Sequence, residues 1–413
     1  MPLKKLGIAF VLSSSVALPV ATAQTIIIET VEVGDPKNEP IGIVPFTPEF
    51  PDVTGAAELV GRVDYIYEMA RYEITVEQYV TFLNVVDPTG TNLQQLWDPL
   101  MDPLVNPYRG QIKRDLSQSA GQRYSLAAPS WRNKPIGFID FFRAARFINS
   151  IYNGQSVRTV IGQGVYQYEC SPSLETESGA YNLFNQPVYG SYSQRGVVSG
   201  FVLPSQDEWI KAAYYSPNEV AFGRHYWRYP TRSDSAPSPA IADACGNVTN
   251  AGPGSGLVAN YANGAVWCPA GCEAGSSAGC VPPDGNLGNL TDVGACRTPS
   301  PWGTFDQGGN VVEWTETVCA PVEGVPNPGN QSIWRQVHGG ISIAADYQLW
   351  LSATGATDPY GQALGTVRAF GGFRPSMLPG ANPNVSCAAD LNHDGIVNGC
   401  DLGIVLNSWG VCN

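Results

Sequence analysis

The sequence predicts an irregular α+β domain with few helices and short strands, followed by a small EF-hand-like module. Three observations predict it. The chain has 413 residues, 43% of them hydrophobic and 10% aromatic, which is enough for one sizeable core. Its 45 glycines and 33 prolines break that material into short pieces joined by loops. Three well-capped helical segments stand among β-branched stretches, and no fixed-period repeat links them. The composition is that of a folded protein, because the aromatics are too many for a disordered chain.

Residues 1–23 read as a secretory signal. Lys4 and Lys5 give the positive start, an apolar stretch follows, and Ala21-Thr22-Ala23 forms a small-x-small cleavage site before Gln24. A membrane anchor is the alternative, and the segment's length and its Ala-x-Ala end argue against it. No later segment is long and apolar enough to span a bilayer, so the mature protein is expected to be soluble and exported. The net charge is −13, and losing the leader removes two lysines and no acid. So acidic a surface disfavours nucleic acid and anionic membranes as partners.

Residues 25–33 are β-branched and short, a predicted first strand, and residues 65–71 are another. A helix is predicted from Thr75. Thr75 and Gln78 make a capping box, Ile74 and Tyr79 a hydrophobic staple, and Val76, Tyr79, Val80, Leu83 and Val86 follow at helical spacing. A second helix is predicted from Asp140, burying Phe141, Ala144, Ala145 and Ile148. A third is predicted from Ser205, with Glu208 closing its capping box and Trp209, Ala212 and Ala213 facing inward. Ten cysteines in an exported chain point to disulfides, and their even number permits full pairing. Cys245, Cys268, Cys272, Cys280 and Cys296 crowd an insertion at 245–296, read as a cross-linked loop. Cys268 and Cys272 could also be read as a metal pair, but no histidine stands nearby to complete a zinc site.

The run from Gly303 to Glu316 gathers Asp306, Gly309, Asn310, Glu313 and Trp314. Hard oxygen groups on a short glycine-rich turn are what calcium takes, although a hairpin with solvated carboxylates has the same composition. The run resembles the Gly-Asn-x-x-Glu-Trp segment of the formylglycine-generating enzyme, or sulfatase-modifying-factor, family. Other blocks resemble that family in the same order. They are Tyr72-Glu73-Ile74-Thr75, then Lys134-Pro135-Ile136 with Asp140 and Ala144-Ala145-Arg146-Phe147, then Leu203-Pro204-Ser205-Gln206-Asp207-Glu208-Trp209. His338-Gly339-Gly340 and Gly372-Phe373-Arg374 close the series.

The resemblance assigns residues 24–380 to one compact domain related to the C-type lectin fold. It implies two structural calcium sites. One would use Asp306, the carbonyls of Gly309 and Val311, and Glu313. The other would use Asn260, the Tyr261 carbonyl, Asp292 and the Gly294 carbonyl. It also implies a copper-binding cysteine pair after Gly340 in the family's oxidases. Those positions hold Ala344 and Leu349, which cannot ligate copper, so no copper is expected. Related iron enzymes use a histidine cluster, whereas His225, His338 and His393 are widely separated here. Glu73, Glu77 and Asp140 are candidate acids or bases, each better explained by its place at a helix start.

After a linker at 381–386, residues 387–413 are read as a small module whose stretch from Asp390 to Asp401 fits a calcium loop. Asp390, Asn392, Asp394, Asn398 and Asp401 offer side-chain oxygens, Ile396 a carbonyl, and Gly395 the sharp turn. Asp401 at the last position makes the loop resemble a single dockerin-type repeat, which implies a cohesin-like partner. Cys387 and Cys412 flank it. Three functions are therefore carried forward: a calcium-stabilised binding or scaffold protein without oxidase activity, an enzyme of altered chemistry in the same cleft, and a lectin-like carbohydrate binder. The ligand would be a polypeptide or a glycan.

Overall fold

The computed structural model describes residues 24–43, 58–183, 195–197, 199–220, 223–276, 280, 282, 285–319, 334–351, 355–357 and 365–378. The leader, the linker and the module at 387–413 lie outside these residues.

Both predicted strands form. Ile26–Val33 pairs antiparallel with Tyr67–Ala70, placing Thr30 opposite Ala70. They lie inside a six-stranded antiparallel sheet whose order is Gln155–Gly162, Val165–Ser171, Ile26–Val33, Tyr67–Ala70, Ser376–Leu378, Gly200–Val202. The outermost strand of this sheet, Gln155–Gly162, lies largely exposed and has no clean apolar alternation. The sheet brings residues near the two ends of the domain side by side: Ser376 pairs with Met69 and with Val202. A second sheet runs Gly355–Thr357, Trp334–His338, Val312–Cys319, Gly371–Gly372. In it Glu313 lies opposite His338 on one side and Gly372 on the other.

The three predicted helices are Val76–Val86 (α1), Phe141–Tyr152 (α2) and Gln206–Tyr214 (α3). Their caps match the sequence logic. The Thr75 hydroxyl accepts from the Gln78 amide and the Gln78 side chain accepts from the Thr75 amide. Ser205 and Glu208 repeat the arrangement, and the Asp140 carboxylate accepts from the Arg143 amide at 2.7 Å. Such caps are worth about 1 kcal/mol each. α1 buries Val76, Tyr79 and Leu83 as predicted, with Phe82 in addition, while Val80 and Val86 are half-buried. Phe82, Phe147 of α2 and Phe373 of the closing segment meet in the main core, with ring centroids 5.1 and 5.2 Å apart in turn. A mixed α/β body with few helices and short strands results, as predicted.

The cysteine-rich insertion is cross-linked by Cys245–Cys272 and Cys268–Cys280, so neither Cys268 nor Cys272 is a metal ligand. Full pairing is not found among the described residues. Cys170 and Cys296 are buried free thiols, and Cys319 is a half-buried one.

Candidate metal-binding cluster

The run 303–316 turns twice through left-handed backbone before entering the strand Val312–Cys319. Asp306 has φ 59° and Asn310 φ 61°, conformations that short polar side chains tolerate. Gly309, at φ 93°, permits a close approach: a Cβ there would lie 2.2 Å from the Asn260 carbonyl oxygen. That approach lets the Asn310 amide donate to the Asn260 carbonyl at 2.8 Å and the Asn260 side-chain amide donate to Asn310 Oδ1 at 3.0 Å. Asn310 Oδ1 also accepts from the Thr291 amide.

Glu313 is the second residue of the strand and is buried. Arg374 grips it with two nitrogens, Nε to Oε2 and Nη2 to Oε1, each at 2.7 Å. Trp209 of α3 donates its indole N–H to Oε2 at 2.9 Å. The remaining Arg374 N–H groups reach the carbonyls of Ala70, Arg71 and Phe305. One guanidinium thus ties the first strand pair, the glycine-rich run and the closing segment together. His338, across the sheet, stacks on Trp209 with ring centroids 5.0 Å apart. Burial alone holds its pKa down at about 3, so the ring is neutral. It is a packed imidazole.

Asp306 accepts from the Gly294 amide at 2.5 Å and faces a small cavity lined by Thr231, Thr298, Ser300, Thr304 and Gln307. Burial pushes its pKa up to about 6. The Gly294 amide and Arg374 oppose that rise, and Glu313 adds to it. Glu73 is 1% exposed, and neither of its carboxylate oxygens meets a donor from another residue. Burial, then the Asp306 charge, push its pKa well above the usual range. Of the three acids assigned to helix starts, Asp140 caps its helix and Glu77 pairs with Arg132. Glu73 does neither.

The family profile of the sulfatase-modifying factor enzyme 1-like domain matches residues 60–374. The chain belongs to this family. Among solved structures, Treponema denticola variable protein 1 is 16% identical, with a TM-score of 0.39 over 83% of this chain and 94% of that one. PvdO from Pseudomonas aeruginosa is 13% identical, with a TM-score of 0.34 over 85% of this chain and 94% of that one. No curated protein matches.

The sulfatase-modifying-factor resemblance implied two metals, and the residues can be tested against each. Copper does not fit. Ala344 lies in a tight turn, its amide donating to Ile341 and its carbonyl accepting from Ala262. Leu349 is fully buried against Tyr229, Ala259 and Tyr261. The free thiols stand on other segments, and burial pushes each up, Cys170 to about 12, Cys319 to about 11 and Cys296 well above the usual range, so all three stay protonated.

Of the first calcium set, Asp306, Gly309, Val311 and Glu313 share the run that leads into the strand Val312–Cys319; Glu313 Oε1 accepts one hydrogen bond, from Arg374, and Oε2 accepts two, from Arg374 and Trp209. Among the described residues no group of three or more His, Cys, Asp or Glu side chains is placed to hold a metal ion. The second set is otherwise engaged. Asp292 pairs with the buried Lys134 at 2.8 Å, and the Tyr261 and Gly294 carbonyls accept the turn amides of Gly264 and Arg297. Only Asn260 keeps an unpartnered oxygen, Oδ1, and the bonds to Asn310 bring that residue to the first set. The calcium-loop residues Asp390, Asn392, Asp394, Ile396, Asn398 and Asp401 lie outside the described residues. Glu73, a candidate acid or base in the sequence, is a buried carboxylate without a hydrogen-bond donor, two residues before the Thr75 cap.

Proposed function

We propose that this protein is an exported sulfatase-modifying-factor-family member without copper oxidase chemistry, acting as a calcium-stabilised binding or scaffold protein. One observation carries the reading: the two positions of the family's copper cysteines hold Ala344 and Leu349, and Leu349 is closed into an apolar cluster. A thioether or thiolate is needed to hold Cu(I), and neither side chain offers sulfur. The two disulfides of the insertion suit an oxidising compartment. Among the described residues no helix is long and apolar enough to cross a membrane. The module at 387–413 adds a calcium loop and a cohesin-like docking partner to this reading.

The deciding experiment incubates the purified mature protein with copper and a peptide carrying Cys-x-Pro-x-Arg. Mass spectrometry is expected to return the peptide unchanged. Conversion of its cysteine to formylglycine would overturn the reading.

A further inference from the structure

The cavity beside Asp306 is lined by none of Gly309, Val311 and Glu313. Its volume is about 10 Å³, room for one water-sized group. Its wall is of two kinds. Pro230, Val258 and Ala259 present carbon, and a set of threonine and serine side chains brings hydroxyls. Most of those hydroxyls are spent on the protein. Thr298 donates to the Cys296 carbonyl at 3.1 Å, and Thr304 bonds Ser300 and Gln307. Thr231 is the exception. It is 4% exposed, and its Oγ1 has no hydrogen-bond partner. A buried hydroxyl is expected to have one in a native protein. Across the same cavity Asp306 uses Oδ2 on the Gly294 amide, and no described residue donates to its Oδ1.

A donor at Thr231 and an acceptor at Asp306 match a group that both accepts and donates. A hydroxyl does so, whereas an ammonium group would leave the Thr231 proton unspent. The carbon part of the wall suits a hydroxyl that arrives on a carbon skeleton.

A second observation comes from the neighbouring surface. A Cβ on Gly308, in the cavity wall, would lie 2.7 Å from Pro230 Cγ and 3.5 Å from Leu349 Cδ2. The loop 228–231 and the turn Asp346–Leu349 therefore meet at the cavity. Together they carry Arg228, Tyr229, Asp346, Tyr347 and Trp350. The Tyr229 hydroxyl accepts from the Trp350 indole at 2.7 Å and donates to Asp346 at 3.0 Å, and the Tyr347 and Trp350 rings are half-buried. Aromatic rings with a few fixed polar groups are the usual lining of a small-molecule site.

We infer that the cavity and the aromatic turn beside it form a carbohydrate site, in which one sugar hydroxyl accepts from Thr231 and donates to Asp306. This deepens the binding reading given above, and rests on it, by choosing a glycan over a polypeptide as ligand.

The test is saturation-transfer NMR on the full mature chain in calcium-containing buffer, with glucose, galactose, mannose and N-acetylglucosamine as probes. The parent is expected to transfer saturation to at least one of them. Thr231→Val keeps the shape and removes the hydroxyl. It is expected to weaken that sugar about tenfold, the worth of one hydrogen bond, and to melt no lower than the parent, since Oγ1 holds nothing in the protein. No transfer to any of the four sugars, or equal affinity in Thr231→Val, would overturn the inference; the binding reading would then still be decided by the peptide assay. Should the variant fail to fold, parent crystals soaked in the bound sugar decide. A sugar hydroxyl between Thr231 and Asp306 supports the site, and an ordered water alone there overturns it.

Discussion

Glu313 and Arg374 form a bidentate ion pair with side chains 1% and 0% exposed, joining residues 61 apart in the chain. Neither charge can be lost without stranding the other. Arg374→Met is expected to destabilise the protein by about 3–5 kcal/mol in urea unfolding, the usual consequence of leaving one buried charge alone. Adding Glu313→Gln should recover part of that loss. A cost for Arg374→Met below about 1 kcal/mol, the range of exposed pairs, would mean that water reaches the pair.

His338 makes stability depend on pH. Its folded pKa lies below its unfolded one, so the unfolded chain takes up the proton first. The contribution is therefore intact above the unfolded value and is lost as pH falls below it. From about pH 7 to about pH 5 the loss through this group is about 2 kcal/mol. Asp306 and Glu316 act in the opposite direction. Burial raises both, to about 6 and about 7, and their penalty is relieved on acidification. The comparison of the parent with His338→Phe, which keeps a ring against Trp209, isolates the histidine. The parent should lose more stability than the variant over that window, and parallel pH profiles would refute the assignment.

The disulfides Cys245–Cys272 and Cys268–Cys280 close overlapping loops, with sequence separations of 27 and 12. Replacing either pair by serine is expected to cost about 3 kcal/mol. Non-reducing peptide mapping should return these two linkages, and Cys170 and Cys296 should alkylate only on unfolding. A linkage that includes Cys296 would contradict the pairing.

Much of the fold was legible because its signals are local. The capping boxes at Thr75 and Ser205 and the cap at Asp140 each act within one helical turn, so spacing alone reveals them. Family blocks survive as short words, and the loss of the copper cysteines reads directly from Ala344 and Leu349. The outer hairpin Gln155–Ser171 was not legible, because its outer strand lies largely exposed and shows no apolar alternation. The surroundings of the second calcium set were not legible either. Nothing in the sequence around Asp292 announces that Lys134 will be buried beside it with its ammonium over the Trp267 ring at 4.5 Å.

By itself the sequence determined the family, the helix starts, the first two strands and the absence of sulfur at the copper positions, since each depends on residue identity or on neighbours a few places away. Only the tertiary structure decided which carboxylates answer to one another. Glu73, the run that holds Asp306 and Glu313, and Arg374 come from separate stretches of the chain, and their charges act strongly on one another only where water is excluded.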